Sequence, residues 1–258
     1  MLASEQRQES RHEAMGGLAK GLAILEAFGP AQPRLTVTEA AQVSGTTPAA
    51  ARRCLLTLAE LGYLTHDGKY YSPTPRVVRL TSAYSGTATL PVLAQPCLVA
   101  VRDELDESAS LAVRDGLDSL FVARAEAARI VSAGVRVGAT LPLWASATGR
   151  VLLASLPDEE MASVLAESRR ERRTANTLVT IHEIKERIEQ VRREGVAFTD
   201  EELDIGLRTM AVPVTDSASV TQAAMSVSAF AAKVPMAEMQ EKFLPVLRRE
   251  AARLGKML

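Results

Sequence analysis

Two sets of side chains in this 258-residue chain are spaced for chemistry. The first gathers around the start of a helical pattern: Thr46, Thr47, Ala50, Arg52 and Arg53, with Arg34 and Thr36 before it and Lys69 after it. A guanidinium can grip two acceptors on a guanine edge or clamp a phosphate, and short alanine side chains let a helix approach a groove closely. Lys20, further upstream, is another phosphate candidate. The second set is Ser226 and Ser228, whose i, i+2 spacing in a strand-like run puts both hydroxyls on one face of a sheet. Such hydroxyls can hold a small ligand, bond locally inside a buried strand, or act as a nucleophile. The last role needs a base. The histidines are His12, His66 and His182, assigned to a tail, a turn and a polar helix, and there is no GxSxG elbow. Scattered histidines and the unpaired Cys54 and Cys97 offer no zinc-ligand cluster either. A serine-dependent hydrolase is therefore a remote alternative; no enzyme and no cofactor are expected.

The elements that must position the first set follow from patterning. A helical stripe runs from about Met15 to Phe28 and ends at Gly29-Pro30. Thr36 or Thr38 can cap a short helix, Glu39 to Val43, and Ser44-Gly45 is a turn. Thr46 or Thr47 caps a third helix with Pro48 in its first turn, where a missing N–H costs nothing. Ala51, Cys54, Leu55, Leu58 and Leu61 form its buried face, and Gly62 stops it. Short strands, Tyr63-Leu64-Thr65 and Tyr70-Tyr71-Ser72, flank the turn His66-Asp67-Gly68. Helix, turn, helix and wing in this order predict a winged helix-turn-helix, and DNA as its partner. A solvated, purely structural trihelical head is the alternative.

Composition agrees with one DNA-binding part on a larger body. The chain is 47% hydrophobic, 24% charged and 4% aromatic, with a net charge of −1, as a core-forming protein should be. From Arg34 to Gly86 six basic residues face three acidic ones, whereas from Thr87 onward 21 basic face 24 acidic. A mildly basic head on a mildly acidic body fits DNA binding by one domain only. No apolar run approaches the roughly 20 residues that span a bilayer. The polar start, Met1 to Arg11, reads as a disordered arm rather than a signal peptide. Cys54 and Cys97 then read as reduced thiols of a soluble cytoplasmic protein.

The expected domains are a disordered arm at 1–14, the winged helix-turn-helix at 15–75, a helical linker at 76–89 and a second domain at 90–258. Arg76 to Tyr84 is the helical connector and Ser85-Gly86-Thr87 the hinge. Beyond it come a helix, Leu93 to Leu105; strands Ala109 to Arg114, Ser119 to Arg124 and Ile130 to Val137; and a helix, Ser146 to Ser155. Pro157 to Glu160 starts another helix, Ile181 to Glu194 is a polar one ended by Gly195, and Ala211 to Val214 with Thr221 to Ala229 form a hairpin before a terminal helix, Met236 to Leu258. Strands and helices mix without βαβ alternation, so the fold class is α+β with a mainly antiparallel sheet.

The arrangement resembles the IclR family of bacterial transcriptional regulators over nearly the whole chain. The carriers are Leu18-Ala19-Lys20-Gly21-Leu22-Ala23-Ile24-Leu25, the helix-turn-helix, and Leu61-Gly62-Tyr63-Leu64. In the second domain they are Ala145 to Ala154, Asp200 to Arg208, and Ala223 to Ser228. Within the family, Phe28-Gly29-Pro30 and Ala49-Ala50-Ala51-Arg52-Arg53 look most like regulators of the protocatechuate, 4-hydroxybenzoate and β-ketoadipate pathways. A basic residue is common in the family where this chain has Pro48.

The resemblance implies a GAF-like effector-binding domain, a homodimer that pairs into a homotetramer, dimerisation through the heads and the first helix, and a palindromic promoter site. It implies a pocket for a small organic acid built from three places: the loop and helix start at Ala145 to Gly149, the strand of Ser226 and Ser228, and the segment Asp200 to Thr209. Candidate effector contacts are thus Trp144, Ala147, Thr148, Gly149, Asp200, Thr209, Ser226 and Ser228, with Arg136 and Arg124 as candidate partners of a carboxylate. Relatives that bind glyoxylate-like acids carry a cysteine where this chain has Thr209, and a smaller residue than Thr148. An aromatic acid or β-ketoadipate-pathway metabolite is the expected effector; glyoxylate or pyruvate is the alternative.

Overall fold

The computed structural model describes residues 15–29, 32–80, 89–128 and 135–258. The expected arm, the hinge Ser85-Gly86-Thr87, residues 81–84 of the connector and residues 130–134 of a predicted strand lie outside them. The chain divides into two compact units, Met1–Thr87 and Ala88–Leu258.

The first unit is built on three helices, α1 (Gly16–Glu26), α2 (Val37–Val43) and α3 (Pro48–Glu60), followed by strands β1 (Leu64–His66) and β2 (Tyr71–Pro73). Thr36, not Thr38, caps α2: its hydroxyl accepts the Glu39 N–H while the Glu39 carboxylate accepts the Thr36 N–H at 2.7 Å, a reciprocal capping box. Thr47, not Thr46, caps α3 by accepting the Ala50 N–H, with Pro48 in the first turn. Gly45, at φ +58°, makes the turn between the two helices. Leu35 exchanges both backbone hydrogen bonds with Tyr71, at 3.0 and 2.8 Å, so the chain before α2 is tied to the wing. Ile24, Leu35, Ala40, Ala51, Leu55, Leu64 and Tyr71 close the core of this unit. Of the connector, Pro75–Val77 is a 3-10 turn and residues 78–80 continue as helix.

The second unit opens with α4 (Thr89–Leu105), β3 (Ser108–Asp115), β4 (Asp118–Ala125) and β5 (Thr140–Pro142). Helices α5 (Ala147–Ala154), α6 (Asp158–Glu167) and α7 (Ile181–Glu194) follow, then β6 (Ala197–Asp200), β7 (Leu207–Thr215) and β8 (Thr221–Phe230). The C-terminal helical run comprises α8 (Met236–Glu238), a π turn (Met239–Phe243) and α9 (Leu244–Gly255). The predicted terminal helix thus carries a π turn that its apolar spacing did not announce. The strands form one sheet in the order β5-β4-β3-β8-β7-β6, with every pairing antiparallel. Strands β5 and β6 are too short for periodicity to reveal. The described end of the predicted strand Ile130 to Val137, Val135 to Val137, is loop and turn.

Alternation along β8 sorts the second unit into layers. Ala223, Met225, Val227 and Ala229 join Val101 of α4 and Leu247 and Leu254 of α9 in one apolar cluster. Ala224 faces the other side, with Val151 of α5 and Ile184 and Ile188 of α7. Ser226 and Ser228 share that side, because they alternate with the first set. The predicted common face is therefore the one covered by α5.

Candidate effector site and DNA-contact face

The head gathers its cations at the wing. The Arg34 guanidinium lies 4.1 Å and the Lys69 ammonium 4.9 Å from the centroid of the Tyr70 ring, so one aromatic ring holds both. Asp67 fixes the turn that presents Lys69, accepting the N–H groups of Lys69 at 2.9 Å and Tyr70 at 2.7 Å. Those N–H donors hold the Asp67 carboxyl below its ordinary pKa, and the Thr36 hydrogen bonds do the same for Glu39. Arg52 is exposed on α3. Arg53 and Ala50 lie elsewhere on the helix. With Lys20, Leu18, Leu22 and Leu61 they line a groove of about 630 Å³ between α1 and α3. Thr36 and Thr47 both spend a hydroxyl lone pair on a helix cap, which lowers their value as base readers.

In the second unit, β-sheet register converts sequence spacing into rows of hydroxyls. Ser228 stands opposite Ser108 on one side and Thr209 on the other, and Thr209 stands opposite Thr199. The Thr209 and Ser228 hydroxyls are 3.0 Å apart. In the next row Ser226 stands opposite Ser110, whose Oγ accepts from Arg124 at 3.0 Å, and Arg124 is itself opposite Ser110. Arg124 also lies 3.8 Å from Glu126, and burial pulls its pKa below the ordinary arginine value. Serine and threonine where a core strand would carry valine cost stability unless each hydroxyl finds a partner.

Above these rows lies a cavity of about 150 Å³. Ser226, Ser228, Thr209 and Thr199 line its sheet side, Ala147 and Thr148 the start of α5, and Phe121, Leu141 and Val135 an apolar wall. Glu202, Leu203 and Asp204 supply the segment between β6 and β7, and Leu207 the start of β7. Ser146 caps α5 by accepting the Gly149 N–H at 3.0 Å, while Ser119 Oγ lies 3.3 Å from Ser146 Oγ and 3.1 Å from Thr148 Oγ1. The Ala147 and Thr148 N–H groups belong to a first helical turn, where donors lack intrahelical partners. The positive end of the helix dipole makes that turn a seat for an anion.

Of the sequence candidates, Ala147, Thr148, Thr209, Ser226 and Ser228 meet at this cavity. The others do not line it. Trp144 is 4% exposed and packs in the core between α5 and α7, so its indole serves packing. Gly149 has its N–H capped, and a Cβ there would stand 2.3 Å from the Leu143 Cα: the glycine permits α5 to cross that backbone. Asp200 turns to the Arg208 guanidinium, at 2.5 Å, and Arg136 is exposed on a turn. Sequence reasoning missed Ser110, Ser119 and Thr199, although Ser108-Ala109-Ser110 repeats the spacing that exposed Ser226 and Ser228. Glu202 entered only as part of the segment Asp200 to Thr209 and was not singled out. Glu202 is buried and makes a two-point pair with Arg150, at 2.8 and 2.5 Å, while Arg150 Nε donates to the Trp144 carbonyl. Thr177 Oγ1 donates to the Glu202 carbonyl at 2.6 Å and Thr174 Oγ1 to that of Glu201, so the segment is pinned.

Two family models match the chain, one over each of its two units. The IclR helix-turn-helix domain matches residues 17–68, and the bacterial transcriptional regulator IclR C-terminal domain matches residues 83–255. The chain belongs to the IclR family. IclR regulators bind DNA and are modulated by effectors; this chain is a transcriptional regulator, not an enzyme. It is 38% identical to the Pca regulon regulatory protein of Pseudomonas putida, over 90% of this chain and 80% of that one. It is 35% identical to the p-hydroxybenzoate hydroxylase transcriptional activator of Acinetobacter baylyi, over 95% and 92%. The solved inducer-binding domain of the PobR transcription factor from Acinetobacter, a double mutant in complex with 3-hydroxybenzoic acid, matches with a TM-score of 0.63 and 28% identity, covering 66% of this chain and all of that one. Among the described residues no helix is long and apolar enough to cross a membrane.

Proposed function

We propose that this IclR-family protein is a cytoplasmic regulator of aromatic-acid catabolism, whose hold on promoter DNA is set by a small aromatic acid in the cavity beneath α5. The observation that carries the reading is the cavity itself. At about 150 Å³, it pairs an apolar wall of Phe121, Leu141 and Val135 with rows of hydroxyls and a helix start. A cavity of about this volume accepts a benzene ring. The ligand carboxylate is assigned to the Ala147 and Thr148 N–H groups and the neighbouring hydroxyls. The hydroxybenzoate named for the PobR domain supports the same ligand class.

On the DNA side, Arg52 is assigned to base edges in the major groove and Arg34 and Lys69 to phosphates, with Thr46 and Thr47 at the helix start. The α1–α3 groove is assigned to a second copy of the chain. Leu18, Leu22 and Leu61 are 60%, 47% and 51% exposed there, an apolar edge that pairing would cover. A homodimer so formed would present two α3 helices to a palindromic site, and dimers could pair further into a tetramer. The effector then acts by differential affinity for two arrangements of the dimer. A gel shift on the upstream region of its own gene, with and without 4-hydroxybenzoate or protocatechuate, tests the reading. Salt-sensitive, selective binding that one of these acids changes supports it. Selective binding that responds only to glyoxylate or pyruvate moves the protein to the non-aromatic branch.

A further inference from the structure

The edge of a sheet presents backbone groups that no neighbouring strand has paired, and β6 is such an edge. Hydrogen bonds around it fix which of its groups look outward. The Glu201 N–H donates to the Leu207 carbonyl at 2.9 Å, toward β7, whereas the Asp200 carbonyl accepts the Asn176 side-chain amide at 3.2 Å from outside the sheet. Backbone groups alternate in direction along an antiparallel pair. The Phe198 N–H and carbonyl therefore point outward with those of Asp200, and among the described residues neither has a hydrogen-bond partner.

A second cavity, of about 240 Å³, lies at this edge. It wraps the strand: of its lining, Ala197 belongs to the apolar cluster beneath α5 and α7, and Val196 and Phe198 to the cluster on the opposite face of the sheet. Gln190 and Val191 of α7 border it, as do Met236 and Gln240 of the C-terminal helical run. Both acids in the lining are already matched, Glu202 by Arg150 and Asp200 by Arg208. Arg187, exposed on α7, donates to Gln190 at 3.0 Å and has no acidic partner among the described residues. The cavity thus combines one outward donor and one outward acceptor from a single strand residue, a cation without a counter-ion, and apolar side chains.

An added strand would answer the Phe198 pair with the N–H and carbonyl of one residue. The strand has four residues, and a cavity of about 150 Å³ accepts benzene, so this one has room for a single amino acid. We propose that the β6 edge is a second small-molecule site, whose ligand is an α-amino acid unit with a free carboxylate and an apolar side chain. The ligand N–H donates to the Phe198 carbonyl. One carboxylate oxygen accepts the Phe198 N–H and the other meets the Arg187 guanidinium, a charge-assisted contact. The side chain packs against Val191, Val196 and Met236. A free amino acid and an N-acylated one share these features. A carboxylic acid without the N–H leaves the Phe198 carbonyl unanswered, and an amide in place of the carboxylate leaves Arg187 without a counter-ion.

The test is a calorimetric titration of the full-length protein with L-leucine, N-acetyl-L-leucine, L-leucinamide and 4-methylpentanoate. Leucinamide lacks the carboxylate, and 4-methylpentanoate lacks the N–H. L-Leucine or N-acetyl-L-leucine should bind at least about tenfold tighter than either of those two. Arg187→Glu should weaken that binding by at least about tenfold. Arg187 is exposed, so the variant should unfold at the same temperature as the unaltered protein, and the comparison among the four ligands stands without it. Equal binding of 4-methylpentanoate or leucinamide overturns the proposal, and so does leucine binding that survives Arg187→Glu, which would lie elsewhere. Failure of both leucine compounds to bind overturns it outright. The aromatic-acid reading is decided separately, by 4-hydroxybenzoate and protocatechuate.

Discussion

Arg150 of α5 and Glu202 of the β6–β7 segment form a bidentate ion pair in which the two side chains are 1% and 10% exposed. It ties the helix whose first turn faces the cavity to the segment between β6 and β7. Removing one partner from a buried pair leaves an uncompensated charge, so Arg150→Met should cost roughly 3–5 kcal/mol. Urea unfolding measures it. Glu202→Gln should cost less, because the amide keeps a hydrogen bond to Arg150. A double-mutant cycle that returned no coupling would show that the two side chains act independently.

Gly149→Ala addresses the packing of the same helix. The new Cβ would sit 2.3 Å from both the Cα and the carbonyl oxygen of Leu143, which is backbone and cannot rotate away. Overpacking of this kind costs about 1–3 kcal/mol. Thermal unfolding should show the loss, accompanied by weaker 4-hydroxybenzoate binding because α5 must shift. An unchanged midpoint would mean that the Leu143 backbone yields freely.

The head was legible in the sequence because its signals are local: a capping residue, a glycine turn, a proline at a helix start, an apolar stripe. The choice between neighbouring threonines needed the structure, and hydrogen bonds to Glu39 and Ala50 decide it for Thr36 and Thr47; so did Leu61, expected on the buried face of α3 but 51% exposed. The cavity was half legible. The spacing of Ser226 and Ser228 placed them on one face, but which strands lie beside β8 is a long-range fact. Ser110 and Thr199 enter the hydroxyl rows only through β3 and β7. Trp144 misled because an indole suits an aromatic ligand and an apolar core equally well. Glu202 was invisible because burial, not type, sets it apart from its acidic neighbours.

Glu39 makes the α2 cap pH-dependent. Its hydrogen bonds with Thr36 lower its folded-state pKa, so its contribution is complete above the ordinary carboxylate range and is lost as pH falls through the depressed value. Glu39→Gln should therefore lower the unfolding midpoint at pH 7 and converge on the unaltered protein as the pH falls below the depressed value. A gap of the same size at both ends of that range would assign the effect to shape rather than charge.

Leu22→Glu tests the apolar groove between α1 and α3. Leu22 is 47% exposed, so the unpaired chain should tolerate the substitution with little loss of stability. In the proposed dimer the glutamate would be buried against the partner copy, at high cost. Sedimentation should then show a monomer, and affinity for a two-half-site operator should fall steeply while a thermal response to 4-hydroxybenzoate remains. A dimer that survives the change would place the interface elsewhere.

Arg52 and Lys69 separate reading from holding. Arg52 is exposed on α3 and is not among the residues lining the α1–α3 groove, which leaves its guanidinium available to read a base edge. Lys69 sits beside Arg34 on the Tyr70 ring at the wing, where phosphate is the natural partner. Arg52→Ala should abolish selectivity for the operator over unrelated DNA, and the ligand-induced thermal shift should persist because no cavity residue is touched. Lys69→Ala should weaken binding to all sequences alike and reduce the slope of log affinity against log salt by about one per head. The two variants thus differ in kind: one changes which DNA is bound, the other how steeply salt competes. If Lys69→Ala altered sequence preference while leaving the salt slope untouched, the wing would be a reader and the division of labour within the head would reverse.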